Sequence, residues 1–447
     1  MRRLPFLRPR EPNLEETEDA VLEGDVPYAA GSARAALAHR PFRLVWMGSM
    51  ASNIGTWMQN VALGAFAYEL TKSSGYVAML GFAQLGPLLA LSIVGGLLAD
   101  TIDRRLLLVA CQVEQMILSF VLAFVVAQDE PSRGAILVCV LAIGIGNALN
   151  APTFSAVLPQ LVGKRDLVGA VSLQSVQLNL SRVVGPAIGG LVLPVIGAAG
   201  VFVVNGITYV FAIVTLLMVS IPRPYPQHGE QGLRRLVGGF AVARRDRLVR
   251  RCLLTIASIS FFCLPFIGLM PVLASENLGI DVKGTGYGVL YACFGLGAAA
   301  GAVAVGTLLV GRNKAKAVRA GLVIFAVMLA VFGLLRQPLP AYPVVLLVGL
   351  FYFGTVTSLS TVLQQHLTED VRGRVMALWI MGFGGTVPIG LLVFGWVAEA
   401  TSVTTVVLIG AAVALVLPLL ADVREGGTGD DQSAATAGIP GAAETSG

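Results

Sequence analysis

The sequence predicts an all-α membrane protein: twelve transmembrane helices in two pseudo-symmetric six-helix bundles. Three observations carry that expectation. A membrane-length window resolves the 447 residues into twelve apolar stretches, each near the ~20 residues a helix needs to cross a ~30 Å hydrocarbon core. That core offers no water to backbone N–H and C=O groups, so each stretch must be helical. A longer stretch of about thirty residues, mostly polar and basic, divides the twelve six and six.

The stretches fall near 44–68, 76–99, 106–127, 134–157, 168–192, 197–220, 252–275, 286–310, 318–335, 342–364, 374–398 and 403–421. Composition agrees: 55% of residues are hydrophobic and only 13% charged, far from the balance of a soluble domain. Glycine is abundant, as expected where helices pack backbone to backbone in lipid. Cys111, Cys139, Cys252, Cys263 and Cys293 all fall inside the stretches without framework spacing, and read as small apolar residues, neither disulfides nor metal ligands.

The formal charge of +5 is distributed as a topology signal, so no nucleic-acid partner is expected. With the termini in the cytosol, Arg104, Arg105, Lys164, Arg165, the arginines of 223–251, Arg319, Arg372 and Arg374 all lie inside, leaving Lys72, Arg133, Lys283 and Arg336 outside. This positive-inside asymmetry places both termini in the cytosol. The expected organisation is a disordered tail 1–40, a six-helix bundle 41–221, a linker 222–251, a second bundle 252–423 and a disordered tail 424–447. Within the linker, Leu233 to Val249 is basic and amphipathic, which suits an interfacial helix. Val157-Leu158-Pro159-Gln160-Leu161 recurs as Val362-Leu363-Gln364-Gln365-His366, and Gly185-Pro186 is answered by Val387-Pro388. Paired Gly/Pro-interrupted helices at matching places point to a transport site between repeats.

Two motifs carry the most information. Gly96-Leu97-Leu98-Ala99-Asp100-Thr101-Ile102-Asp103-Arg104-Arg105 occupies the turn between the second and third spans. It places an acid where a helix N-terminus or an arginine can engage it. Ser181-Arg182-Val183-Val184-Gly185-Pro186-Ala187-Ile188-Gly189-Gly190 lies in the fifth span. There small residues permit close helix contact, and Pro186 removes a backbone donor and kinks the helix.

The first motif resembles the loop signature of the major facilitator superfamily (Gly-x-x-x-Asp-Arg-x-Gly-Arg-Arg/Lys), with Thr101 in place of the usual Arg and Asp103 in place of the usual Gly. The second resembles the antiporter signature of its drug exporters (Gly-x-x-x-Gly-Pro-x-x-Gly-Gly), with Ser181 in the first small position. Pro41-Phe42-Arg43, Ala151-Pro152, Leu158-Pro159-Gln160-Leu161 and Val371-Arg372-Gly373-Arg374-Val375-Met376 extend the resemblance over the whole chain. The Asp-Arg-Arg ending is similar to the branch that includes enterobactin-type exporters and macrolide-efflux permeases. The resemblance implies two bundles rocking about a central cavity. Gly96, Asp100, Arg104, Arg105, Arg372 and Arg374 would form a cytosolic latch, and Gly185, Pro186, Gly189 and Gly190 a gating seam.

Charged groups inside the membrane are costly, so each merits a functional hypothesis. Arg182 lies about fifteen residues into the fifth span, near the midplane at ~1.5 Å per residue. It suits an anionic substrate group or a counter-charge for a proton carrier; a structural arginine on carbonyls freed by Pro186 is the bland alternative. Glu114, about 13 Å into the third span, is the candidate proton carrier, with a polar cluster around Gln112 and Gln115 as its plain alternative. Asn53, Trp57, Asn60, Gln84, Asn147, Asn150, Gln174, Gln177, Tyr352 and Thr355 supply a candidate amide- and aromatic-rich cavity lining, against the bland reading of interhelical hydrogen bonds.

The expectation is therefore a monomeric secondary efflux permease of a bacterial inner membrane, exporting an amphipathic drug-like or natural-product small molecule by proton antiport. A siderophore exporter of the enterobactin type, and proton-coupled uptake or lipid translocation, are the alternatives. No cofactor or metal is expected. No enzyme is expected either, because His39, His228 and His366 are too scattered for a catalytic cluster and no phosphate loop is present.

Overall fold

The computed structural model describes residues 28–221, 233–309 and 313–420, with side chains throughout except at 92–101, 233–237, 369, 370 and 420. The tails 1–27 and 421–447, the start of the linker, His228 and Arg312 lie outside the described residues. A short helix, α1 (Ala33–Ala38), precedes the first bundle, made of α2 (Arg40–Thr71), α3 (Ser74–Thr101), α4 (Arg104–Val126), α5 (133–162), α6 (164–196) and α7 (198–218). Helix α8 (Leu233–Arg245) joins it to the second bundle, made of α9 (247–277), α10 (Thr285–Thr307), α11 (Lys314–Leu334), α12 (Pro338–His366), α13 (369–400) and α14 (Val403–Leu420).

Eight helical runs among the described residues are long and apolar enough to span a membrane, and one of these, Arg133–Met218, contains three spans. The more polar Arg40–Thr71 and the shorter Val403–Leu420 complete the expected twelve. Caps explain most of the starts: Asp103, Ser132, Asp246 and Asn313 each accept backbone N–H bonds from the first turns of α4, α5, α9 and α11.

The structure differs from the sequence expectation at three places. The segment after the fourth span, expected as a loop, is helical through Leu158-Pro159-Gln160-Leu161; the chain turns only at Gly163, φ +71°, and again at Gly197, φ +68°. Only glycine occupies that left-handed region without strain. Residues 33–38, counted with the disordered tail on composition, form α1. Ser32 caps it and it buries Ala35 and Ala36. The seventh span is broken: π-helical turns at Ile259–Cys263 and Leu273–Asn277 flank Pro265 and Pro271. Another π turn, Met381–Gly385, interrupts α13. Wide turns of this kind accompany functional positions in membrane helices.

At the end of the molecule bearing the α2–α3 loop, polar contacts join the two bundles. The Tyr68 hydroxyl donates to Glu276 Oε1 (3.0 Å), Lys283 Nζ pairs with Glu69 Oε1 (3.2 Å), and Glu399 Oε2 accepts from Ser73 Oγ and Gly75 N, each at 2.6 Å. At the opposite end, where the described residues begin and end, two histidine–carboxylate pairs each hold one bundle together. His39 Nε2 is 2.9 Å from Asp166 Oδ2, joining the start of α2 to the start of α6. His366 Nε2 is 2.7 Å from Asp246 Oδ2, joining the end of α12 to the start of α9. The two bundles use the same pair at equivalent places with the partners exchanged.

Burial opposes ionisation of Asp166, but the His39 bond and the Gly31 N–H outweigh it and hold the carboxyl below the usual carboxylate range. A carboxyl so depressed contributes stability that is present above the ordinary carboxylate range and is lost as pH falls through its folded value. Asp166→Asn is accordingly expected to lower the melting temperature near neutral pH by a few degrees, for a bond worth ~1 kcal/mol. The difference from the unsubstituted protein should shrink as pH falls through the lowered folded value. Scanning fluorimetry across pH checks this; a pH-independent difference would rule out the ionic account.

Candidate functional site

The bundles meet along two helix pairs. Helix α3 packs on α13, with Gly81 against Leu391 and Gly395 against Ala78. Helix α6 packs on α10, and there Gly190 and Gly288 approach so closely that a Cβ on either would overlap the other's Cα. The glycine-rich stretch of α6 thus has two jobs. Gly185 and Gly189 lie against Trp57, Ile54 and Met58 of α2 in their own bundle, whereas Gly190 faces across the seam. Ser181 donates to Met50 Sδ at 3.7 Å, again within the first bundle.

Arg182 lies eight residues before Gly190 along α6, about two turns. Its guanidinium lies over the Trp57 ring of α2 (5.6 Å to the centroid) and the Phe353 ring of α12 (5.3 Å), one ring from each bundle. Arg182, Trp57 and Phe353 are each half-buried in the seam. No carboxylate among the described residues lies within salt-bridge distance of Arg182. Such an arginine presents its donors and charge to whatever enters.

Nearby, Gln84 Nε2 of α3 donates to Asn60 Oδ1 of α2 at 2.6 Å. Asn53, Asn60, Gln84, Asn147 and Gln174 are all half-buried. Of the other residues expected in the lining, several make contacts within their own bundle. Asn150 accepts a long 3.5 Å bond from Gln112 of α4. Gln177 is buried, with Oε1 unpartnered. Thr355 is turned into the second bundle, where Gly321 of α11 accommodates its hydroxyl. Tyr352 is buried, with its ring against Phe325 (5.5 Å) and Phe353 (5.0 Å).

Glu114 is not brought to Arg182. Its carboxylate rests against Gly146 of α5, where a Cβ would occupy the carboxylate's place, and Oε2 is buried without a hydrogen-bond partner. Beside it runs a polar network: Thr56 and Gln115 flank the Tyr209 hydroxyl at 3.0 Å each, and Gln59 Oε1 accepts from Ser119 (3.0 Å) and Asn205 (2.8 Å), while Gln115 Nε2 stays buried without a partner. This network knits α2, α4 and α7 together and leaves Glu114 outside it.

Of the expected latch, Gly96 and Asp100 lie in the last turns of α3, and their side chains are outside the described residues. Arg104 donates to Ala156 O (3.2 Å) and Arg105 to Leu216 O (3.0 Å) and Leu217 O, all within the first bundle. Arg372 donates to Leu367 O (3.3 Å), and Arg374 packs on Gly238 of α8.

Two participants escape sequence reasoning. Phe353 is one position from Tyr352 in a run of three aromatics, and only the helix rotation selects the middle ring for burial and the next for Arg182. Gly288 is one of many glycines in α10; its role is visible only opposite Gly190.

A family profile described as "Transmembrane secretion effector" matches residues 31–435, nearly the whole described chain. The chain belongs to this family of the major facilitator superfamily. It is 30% identical over 357 residues to the enterobactin exporter EntS of Escherichia coli O1:K1, covering 76% of this chain and 81% of that protein. The same identity and coverage hold for the EntS protein of Shigella boydii serotype 18. In fold it is similar to the nucleoside transporter NupG (TM-score 0.67, 15% identity, covering 85% of this chain and 98% of that one). It is also similar to a bacterial homologue of the iron transporter ferroportin in its inward-facing state (TM-score 0.67, 14% identity, 86% and 99%). This chain of the secretion-effector family is a multi-pass membrane transporter.

Proposed function

We propose that this transporter is an export permease for an anionic, aromatic-bearing amphiphile, with a catecholate siderophore as lead cargo. It works by proton antiport in a bacterial inner membrane with both termini in the cytosol. The observation that carries the reading is Arg182, held between one ring from each bundle and without a carboxylate partner among the described residues. A flat anionic cargo would slide between guanidinium and rings, gaining charge-assisted hydrogen bonds and stacking at once. The similarity to exporters named for enterobactin supports it. A drug-like neutral amphiphile is the second reading, supported by the paired amides Asn60 and Gln84, which bind uncharged polar groups.

With the termini cytosolic, the contacts around Glu399, Glu276 and Glu69 close the outer end. Alternating access then consists of breaking them while the inner end closes, Asp100 approaching Arg372 and Arg374. Glu114, a carboxylate with an unpartnered buried oxygen, is assigned the proton. The test is dye-reported proton movement in inverted vesicles challenged with catecholate siderophores, macrolides and cationic dyes. Proton release on adding a catecholate supports the reading; a response to macrolides alone would transfer it to the neutral cargo. Glu114→Gln is expected to abolish proton release, with at least tenfold slower cargo accumulation; normal coupling in that variant would remove Glu114 from the mechanism.

A further inference from the structure

An apolar pocket of about 390 Å³ opens on the outer flank of the second bundle, away from Arg182. Its walls come from three elements that converge where the linker helix meets the bundle: Phe240 of α8, Leu254 and Ala257 of α9, and Gly382 and Ile389 of α13, with Leu89 of α3 reaching in from the other bundle. Along α9 the lining runs seven residues from Arg250 to Ala257, and along α13 eleven from Leu378 to Ile389, so the pocket is ~10–16 Å long at ~1.5 Å per residue.

One end carries Arg244, in the last turn of α8, and Arg250, in the first turn of α9. They are held together because Arg250 Nη1 donates to the Arg244 carbonyl at 3.1 Å. Both side chains are exposed, and neither has a carboxylate partner among the described residues. The nearest acid in sequence, Asp246, is engaged by His366 and by the N–H groups of Leu248 and Val249. The hydroxyl of Thr386 is spent on the Gly382 and Ala257 carbonyls. The pocket therefore has at one end two guanidiniums without a carboxylate partner among the described residues, and is apolar for the rest of its length.

The mouth is rimmed by Phe240, Leu254, Met381 and Ile389, all strongly exposed. In a membrane protein such a rim faces acyl chains, and the basic amphipathic α8 beside it lies at the interface. A soluble ligand would have to cross lipid to reach it, whereas a phospholipid is already there with its phosphate at the depth of the arginines.

From this geometry we infer a binding site for an anionic phospholipid of the leaflet on the side of the His366–Asp246 pair, its phosphate held by Arg244 and Arg250 and one acyl chain lying along Leu254, Ala257, Gly382 and Ile389. Because Leu89 belongs to the first bundle and packs on Gly385 in this arrangement, the pocket keeps its shape only while α3 and α13 are seated as they are here. A lipid bound in it therefore favours this arrangement over any in which the seam has shifted.

The test uses the full chain purified in a zwitterionic detergent, with lipid binding read by native mass spectrometry and by shift of the melting temperature. Phosphatidylglycerol is expected to bind at least tenfold more tightly than phosphatidylethanolamine. The paired substitution Arg244→Gln, Arg250→Gln should erase that preference, while Ala257→Phe, filling the apolar end, should weaken both lipids alike. Glycerol phosphate, which has the anion without the chain, should not compete. Competition by glycerol phosphate, or an unchanged preference in the paired variant, would overturn the site. Should Ala257→Phe melt without cooperativity, Gly382→Ala serves instead, because its new Cβ meets Ile256 and Ala257 at ordinary contact distances of 3.5 and 3.7 Å.

Discussion

Replacing Arg182 with alanine is expected to reduce transport of an anionic aromatic cargo by at least a hundredfold while the protein still inserts and folds. A desolvated cation–π contact is worth ~2 kcal/mol, and a charge-assisted hydrogen bond to the cargo ~1.5–3 kcal/mol. Together these exceed the ~2.7 kcal/mol that a hundredfold effect requires. Arg182→Lys separates the contributions. The ammonium keeps the charge but cannot lie flat between Trp57 and Phe353, so an intermediate loss of about tenfold is expected. A neutral macrolide in the same vesicles should be moved at a nearly unchanged rate. Equal losses for anionic and neutral cargo would mean that Arg182 acts on the seam itself, and full activity of Arg182→Ala would remove it from recognition.

The second large effect is expected at the contact between Gly190 and Gly288. Both partners are backbone atoms, so a new side chain has no flexible group to displace, and closure of α6 on α10 is blocked. Overpacking of this kind costs ~1–3 kcal/mol where neighbours can yield, and more here. A bias of ~3 kcal/mol between two arrangements changes their ratio by more than a hundredfold. Gly288→Val should therefore hold the bundles apart at the end bearing Glu399, lengthening distances between spin labels on that end and stopping turnover. Gly189→Val is the contrasting variant, because it presses on Met58 inside the first bundle and should harm stability more than the distribution of arrangements. Unchanged label distances in Gly288→Val would show that the seam opens elsewhere.

These two positions also show what could be read in advance. Arg182 stood out because a cation near the middle of an apolar stretch is costly in any membrane fold. Gly190 stood out because it belongs to a recognisable run of small residues. Their partners did not. Phe353 and Gly288 have nothing in their own neighbourhoods to separate them from Tyr352 or Gly297, since contact across the seam depends on the rotation of α12 and α10. Thr355 shows the converse: its place on a polar face of α12 suggested the cavity, and the helix turns it toward Gly321.

The sequence by itself determined the helical membrane architecture, the division six and six and the costly positions Arg182 and Glu114. Hydrocarbon imposes those constraints on every backbone and every charge, wherever the helices end up. The tertiary structure alone decided the pairing of Arg182 with one ring from each bundle, the crossing of Gly190 and Gly288, the exchanged His39–Asp166 and His366–Asp246 pairs, and the pocket beneath Arg244 and Arg250. Each joins residues 98 or more positions apart, or a surface shared by four helices, and is set by the packing of whole helices, for which no local pattern in the chain carries a signal.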